Sequence, residues 1–269
     1  MPAPSRGRVP RMTPDVPDDA ATLPSGRSMP LLGFGTWRLE GDSAQACVEE
    51  ALAAGYRHLD TATIYGNETE VGAGLRASGI DRDDVFVTTK CPPDKASEAR
   101  GVLEQSLSML QLDAVDLWLV HWPPSDPVAM WEAFLQAQAD GLVRDVGVSN
   151  FSLAQLDEVT LATGVAPAVN QVKWSPLLFD RAVLAGHVDR GIVLEGYSGL
   201  KGGTLENPVV TGIAARLGRT PAQVVNRWHL DHGVVTIPKS ATPGRIRSNA
   251  DLAFTLSADD LAALDALGQ

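Results

Sequence analysis

From about residue 30 the chain alternates short apolar runs with longer segments of helical period. The runs are Leu32 to Gly35, Arg57 to Asp60, Val85 to Lys90, Val115 to His121, Val143 to Ser149, Ala166 to Gln171, Ile192 to Gly196 and Val234 to Ile237. Each is four to seven residues long and rich in Val, Leu and Ile, as strands buried on both faces are. Between them the spacing predicts helices with recognisable start and stop chemistry. After Ser43, Cys47/Val48 and Ala51/Leu52 fall four apart and form one apolar stripe. Ser152 with Gln155, and Thr220 with Gln223, read as capping boxes, the second with Pro221 at the first helical position. Gly55, Gly141 and Gly164 stand where helices should stop.

Eight strand–helix alternations in about 240 residues predict one α/β domain, a (β/α)8 or TIM barrel over residues 29–269. A doubly wound open sheet is the alternative, but it needs a Gly-rich turn directly after its first strand. Gly33-Phe34-Gly35 begins one, and Arg38 stands where its third glycine belongs. Gly72-Ala73-Gly74-Leu75-Arg76-Ala77 has the glycine spacing but lies in a helical stretch, so the match is read as chance.

Composition narrows the class. The 269 residues carry 22 Lys+Arg against 33 Asp+Glu, a net charge of −11, which disfavours a nucleic-acid or anionic-membrane partner. No apolar run reaches the roughly 18–20 residues of a membrane span. Residues 1–28 hold prolines at 2, 4, 10, 14, 17 and 24 and no apolar signal core, so they are expected to form a flexible tail. Cys47 and Cys91 make no disulfide scaffold, and the expected setting is cytoplasmic. His187, His229 and His232 lack metal-ligand spacing, and no metal is expected.

In a barrel the active site lies at the C-terminal ends of the strands. Here those ends carry Asp60, Lys90, His121, Ser149-Asn150, Asn170-Gln171, Tyr197-Ser198 and Lys239-Ser240. Each alone has a bland reading as a cap, a surface amine or a core histidine. Together on one rim they point to chemistry.

The residues Gly55-Tyr56-Arg57-His58-Leu59-Asp60-Thr61-Ala62, then Ile64-Tyr65-Gly66-Asn67-Glu68, resemble the signature of the aldo-keto reductases. So do Leu119-Val120-His121-Trp122-Pro123, Gly147-Val148-Ser149-Asn150-Phe151 and Ile237-Pro238-Lys239-Ser240, in family order. The resemblance implies a barrel that reduces small aldehydes and ketones with a nicotinamide cofactor, NADPH, without a Rossmann domain. It implies a catalytic set of Tyr65, Asp60, Lys90 and His121. Chemistry agrees: Tyr65 can protonate a nascent alkoxide, Lys90 can ease the loss of its proton, Asp60 can hold Lys90, and His121 can orient the carbonyl.

The cofactor residues implied by the resemblance are Ser149, Asn150 and Gln171 at the carboxamide and Tyr197 against the nicotinamide ring. Thr36 and Trp37 are expected beside that ring, and Ser198 and Leu200 along the pyrophosphate. Lys239, Ser240 and Arg245 should take the ribose phosphate, and Asn249 the adenine. Trp37 and Trp122 are expected to wall the substrate pocket. Four positions depart from the usual pattern: Ser248 replaces a Glu, Lys173-Trp174 replace an acidic residue and a Tyr, and Gly199 replaces a Pro, which predicts a more mobile loop. The chain stops soon after its final predicted helix, so an open pocket of broad specificity is expected; no heptad repeat or large apolar stripe suggests an obligate partner, so a monomer is expected. Two other functions remain open: a regulatory subunit that senses NADPH without turnover, and an isomerase or aldolase using Lys90 as a Schiff base.

Overall fold

In the computed structural model, which describes residues 14–268, eight parallel strands pair strictly in sequence order. They are β3 (Phe34–Gly35), β4 (His58–Asp60), β5 (Phe86–Cys91), β6 (Val115–Val120), β7 (Val143–Ser149), β8 (Val169–Lys173), β9 (Val193–Tyr197) and β10 (Val235–Thr236). A bridge between Leu32 and Thr236, with Gly33 N–H donating to the Thr236 carbonyl at 2.8 Å, joins the first strand to the last and closes the barrel. The expected strands lie within two or three residues of those observed, because Val-, Leu- and Ile-rich runs of this length bury well only between helices.

Helices follow each strand: α1 (Gly41–Ala53), α2 (Glu68–Ser78), α3 (Ala99–Leu110), α4 (Pro127–Ala139), α5 (Leu153–Thr163), α6 (Arg181–Asp189), α7 (Pro208–Leu217) and α8 (Pro221–Asp231), then α9 (Pro243–Ala250) and α10 (Ala258–Asp265). The capping boxes at Ser152 and Thr220 form as read, and Ser257 with Asp260 adds a third. The glycines of the Gly72-Ala73-Gly74 stretch lie inside α2 and serve packing. A side chain at Gly72 would collide with the Leu110 carbonyl of α3, and one at Gly74 would sit 2.8 Å from Val48 of α1. Trp118 of β6 stacks on Phe134 of α4 with centroids 3.6 Å apart, both fully buried. A buried ring of that size contributes on the order of 4 kcal/mol of transfer free energy. Both cysteines are buried free thiols, and the described residues include no candidate metal cluster and no helix long and apolar enough to cross a membrane.

The tail expectation needs correction. Residues 1–13 of it lie outside the described residues, but the remainder is structured. The strands β1 (Ala20–Thr22) and β2 (Ser28–Pro30) pair antiparallel beside the N-terminal ends of the barrel strands. Leu23 and Met29 are buried, Ser25 hydrogen-bonds Asp145, and Arg27 pairs with Asp116 at 2.7 Å. Asp116 is wholly buried. It also pairs with Arg82 at 2.7 Å and accepts the Val87 N–H at 2.9 Å, with Arg144 at 3.6 Å. The hairpin is pinned by polar contacts to the buried carboxylates of Asp116 and Asp145, with Leu23, Met29 and part of Ala21 as its apolar anchors.

Removing Asp116 leaves the Val87 N–H unpaired and takes the shared acceptor from three part-exposed guanidiniums, of which Arg82 keeps the Ala114 carbonyl and Arg144 keeps Asp83, so Asp116→Ala should cost about 2–3 kcal/mol. At this chain length that lowers Tm by about 4–10 °C, while binding at the opposite, C-terminal face is unchanged. A melting curve within 2 °C of wild type would contradict this account of the barrel's base.

Candidate active site

At the C-terminal mouth the strand ends surround a cavity of about 360 Å³. Asp60 lines its floor, and Lys90 lies beneath as its ion-pair partner, outside the lining. The Lys90 ammonium is fully buried and donates to both Asp60 oxygens at 2.8 and 2.7 Å and to the Thr61 carbonyl at 2.8 Å. All three of its donors are thus used. Burial works against the charge, but Asp60, then Tyr65 and Glu195, outweigh it and raise the lysine pKa. A Schiff-base lysine needs the opposite, a lowered pKa and a free lone pair, so that alternative loses its physical basis.

Tyr65 ends a 3-10 turn, Thr63–Tyr65, directly after β4. The turn is fixed by Thr63 Oγ1 donating to the Lys90 carbonyl at 2.8 Å and released by Gly66 at φ 65°. This sets the phenol ring 5.2 Å from Lys90 Nζ and edge-on to His121, with centroids 5.8 Å apart. Burial raises the phenol pKa above 10, while Lys90 pulls it down and Asp60 opposes Lys90. His121 is buried, its pKa pushed down to about 3 by burial and then by Lys90, so the imidazole is neutral. Its Nδ1 has no partner among the described residues. Trp122 stacks on the His121 ring at 4.3 Å. Trp122, Trp37 and Ile64 are 43, 40 and 55% exposed and give the mouth an apolar wall.

Ser149, Asn150, Gln171 and Tyr197 line the same cavity, cross-linked to one another. Ser149 Oγ donates to the Gln171 carbonyl at 2.8 Å, and Gln171 Nε2 donates to Asp60 Oδ2 at 2.8 Å. Tyr197 O–H donates to Asn150 Oδ1 at 2.8 Å, which fixes its ring along the wall. Asn150 and Ser198 adopt left-handed φ of 63° and 57°, uncommon for residues with side chains and frequent at binding sites.

The other expected residues are more spread. Leu200, Ser198 and Lys239 line the cavity. Thr36 does not; it is wholly buried and its hydroxyl donates to the Asp60 carbonyl at 2.9 Å, bracing β4. Ser240 accepts the Thr242 N–H at 3.0 Å just before α9, and Asn249 is buried in that helix. Arg245 is exposed on the first turn of α9 with no ion-pair partner among the described residues, whereas Arg247 is held by Glu50 of α1. Gly199 does not loosen its loop: a side chain there would lie 2.9 Å from His229 and 3.2 Å from the Trp174 carbonyl, so close packing explains the glycine.

Two residues escaped the sequence reading, and Ile64, quoted there within the family signature, was given no role at the mouth. Lys201, from the loop after β9, places Nζ 4.1 Å over the Trp37 ring, and Arg38 lies 4.3 Å from the same ring, so the mouth is bridged. Glu195 is a buried carboxyl below the rim whose only signal was an acid inside an apolar run.

The comparisons with known proteins agree with this geometry. The Aldo/keto reductase family model matches residues 31–269. A methylglyoxal reductase (DkgA) of Yersinia pestis is 41% identical over 254 residues, 91% of each chain. An aldo-keto reductase of Mycolicibacterium vanbaalenii is 42% identical over 262 residues, 93% of this chain and 94% of that one. The crystal structure of an aldo/keto reductase from Brucella melitensis superposes with a TM-score of 0.86 at 39% identity, covering 94% of this chain and 99% of that one. On the family match and these relatives, the chain belongs to the aldo/keto reductase family and is a nicotinamide-dependent oxidoreductase.

Proposed function

We propose that this protein reduces small aldehydes and ketones to alcohols with NADPH, Tyr65 delivering the proton. The observation that carries the reading is the buried Lys90 ammonium, saturated by Asp60 and Thr61, just beneath a cavity floor lined by Asp60, the Tyr65 phenol and the neutral His121. The donor set fits the cofactor. Amide and hydroxyl groups of Ser149, Asn150 and Gln171 suit a carboxamide, Tyr197 offers an aromatic wall, and Ser198 and Leu200 offer a lining for the pyrophosphate. Lys239, Ser240 and Arg245 would hold the ribose phosphate, with Arg245 available because Glu50 engages Arg247 instead. Bound there, the reduced nicotinamide supplies a hydride to the carbonyl carbon.

The chain's own groups do the rest. With its pKa above 10, Tyr65 is protonated at neutral pH and available as an acid. Its proton passes to the carbonyl oxygen as the C–H bond forms, and the Lys90 charge favours the resulting phenolate. Neutral His121 donates a hydrogen bond to the same oxygen and orients it. Trp37, Ile64 and Trp122 exclude water and offer apolar contacts that select little beyond size, which supports a broad substrate range. Relatives named methylglyoxal reductases make a small α-ketoaldehyde the first substrate to assay. The buried free thiols fit the reducing, cytoplasmic setting proposed for the enzyme.

Tyr65→Phe should lower kcat for aldehyde reduction by about 10²–10⁴-fold while NADPH binding, read by protein fluorescence quenching, stays within about twofold. Turnover at the wild-type rate would exclude Tyr65 as the acid. Tight NADPH binding by the wild type without loss of its absorbance on adding any carbonyl would favour a sensing role instead.

Arg245→Ala should weaken NADPH by about 1.5–3 kcal/mol, roughly 10–150-fold, and leave NADH nearly unchanged. Titration of both cofactors checks this, and equal losses would remove the phosphate from Arg245.

A further inference from the structure

Beneath the Asp60–Lys90 pair the barrel interior holds a second titratable pair that the reaction does not yet use. Interior layers of such barrels are normally filled by branched apolar side chains. Here one layer carries His58, Thr88 and Glu195, all fully buried. His58 lies two residues before Asp60 on β4 and so points to the same face. Its Nε2 is 3.1 Å from Thr88 Oγ1 and 3.8 Å from Glu195 Oε1. Its ring fits against Gly33, where a Cβ would lie 2.5 Å from Nδ1. Glu195 pairs in register with Gln171, the residue whose amide holds Asp60. Neither Glu195 oxygen makes a well-formed hydrogen bond among the described residues, and the one donor beside it is the Gln171 amide, already given to Asp60.

We infer that Glu195 is a positioning residue of the reductase: kept as a neutral acid, it spares Lys90 a second negative charge, so that the ammonium acts on Tyr65. The inference rests on the reading of Tyr65 as the proton donor. Electrostatics gives the reason. One buried ammonium already matched by Asp60 offsets only part of the cost of a second carboxylate, and an anion poor in hydrogen-bond donors is the costlier form to bury. The titratable groups facing Glu195 are His58 and Asp60 of β4, Lys90 of β5 and Tyr65 of the turn. Beside it β8 offers only the Gln171 amide, and β10 the apolar Val235. Burial, then Asp60, push the Glu195 pKa up to about 8, against Gln171 and Lys90. Burial brings His58 down to about 4, so it does not supply a balancing charge at neutral pH.

As pH rises through that range Glu195 ionises. The new charge raises the Tyr65 pKa, weakens the acid and slows proton delivery. The same raised pKa acts on folding: the stability Glu195 contributes is complete below its unfolded value of about 4.3 and is lost as pH rises through about 8.

The test is Glu195→Gln, which keeps shape and neutrality. Its kcat at pH 6.5 should equal that of wild type. Between pH 7 and 9 the wild type should lose about threefold more kcat than the variant, because the new charge makes Tyr65 the weaker acid. Wild-type Tm should also fall more steeply than the variant's over the same range. A large loss of activity at pH 6.5 would show that a charged Glu195 is required and overturn the inference, as would parallel pH profiles and melting curves. Tyr65→Phe separates the two readings: if it is inactive while Glu195→Gln follows wild type at every pH, only the Glu195 inference fails. If Tyr65→Phe turns over normally, the proton-donor reading fails first.

Discussion

A lysine ammonium with no exposure to water sits inside the barrel, and much of the mouth is arranged around that fact. Taking such an ion out of water costs several kcal/mol even after relaxation. Two Asp60 oxygens and the Thr61 carbonyl offset that cost by accepting all three of its protons. Asp60 is itself held by Gln171, and its backbone carbonyl receives the Thr36 hydroxyl. Well-packed apolar residues would stabilise the interior equally or better. On the proposed reading, the arrangement is understood through what the fixed charge does at Tyr65.

The two ends of the barrel divide the work. At the N-terminal end Asp116 gathers Arg27, Arg82 and Arg144, and the hairpin covers the strand starts. At the C-terminal end the groups are left partly unsatisfied, with strained backbone at Asn150 and Ser198 and exposed tryptophans at the rim. Stability and reactivity are thus kept about a strand's length apart, which lets the mouth carry unfavourable features without melting the fold.

The fold was legible because each strand needs burial on both faces and each helix start needs a cap, and both demands write locally into residues such as Val115–Val120 or Ser152 and Gln155. The rim was legible for a related reason: polar residues ending apolar strands are costly unless used. The hairpin was not, because its anchors Ser25 and Arg27 bind partners about 90–120 residues away and carry no local period. Nor was the Lys201–Trp37 contact, which joins the loops after β9 and β3. Gly199 misled, since close approach to His229 and a demand for flexibility leave the same letter in the sequence.

Charge at the mouth runs against the chain's acidic balance of −11. The Lys201 pKa is lowered by partial burial and then by Arg38, Lys239 and Lys173, so these cations repel one another where they meet. An arrangement that raises its own energy by crowding like charges is relieved when phosphates arrive between them. In a chain of net charge −11, this cluster of cations is where an anion would be attracted. On the proposed reading, the cations contribute both to the capture of an anionic cofactor and to its hold. That attraction is screened by salt over roughly 8 Å at physiological ionic strength, whereas the buried Asp60–Lys90 pair is not. Binding should therefore weaken with ionic strength while the chemical step stays constant.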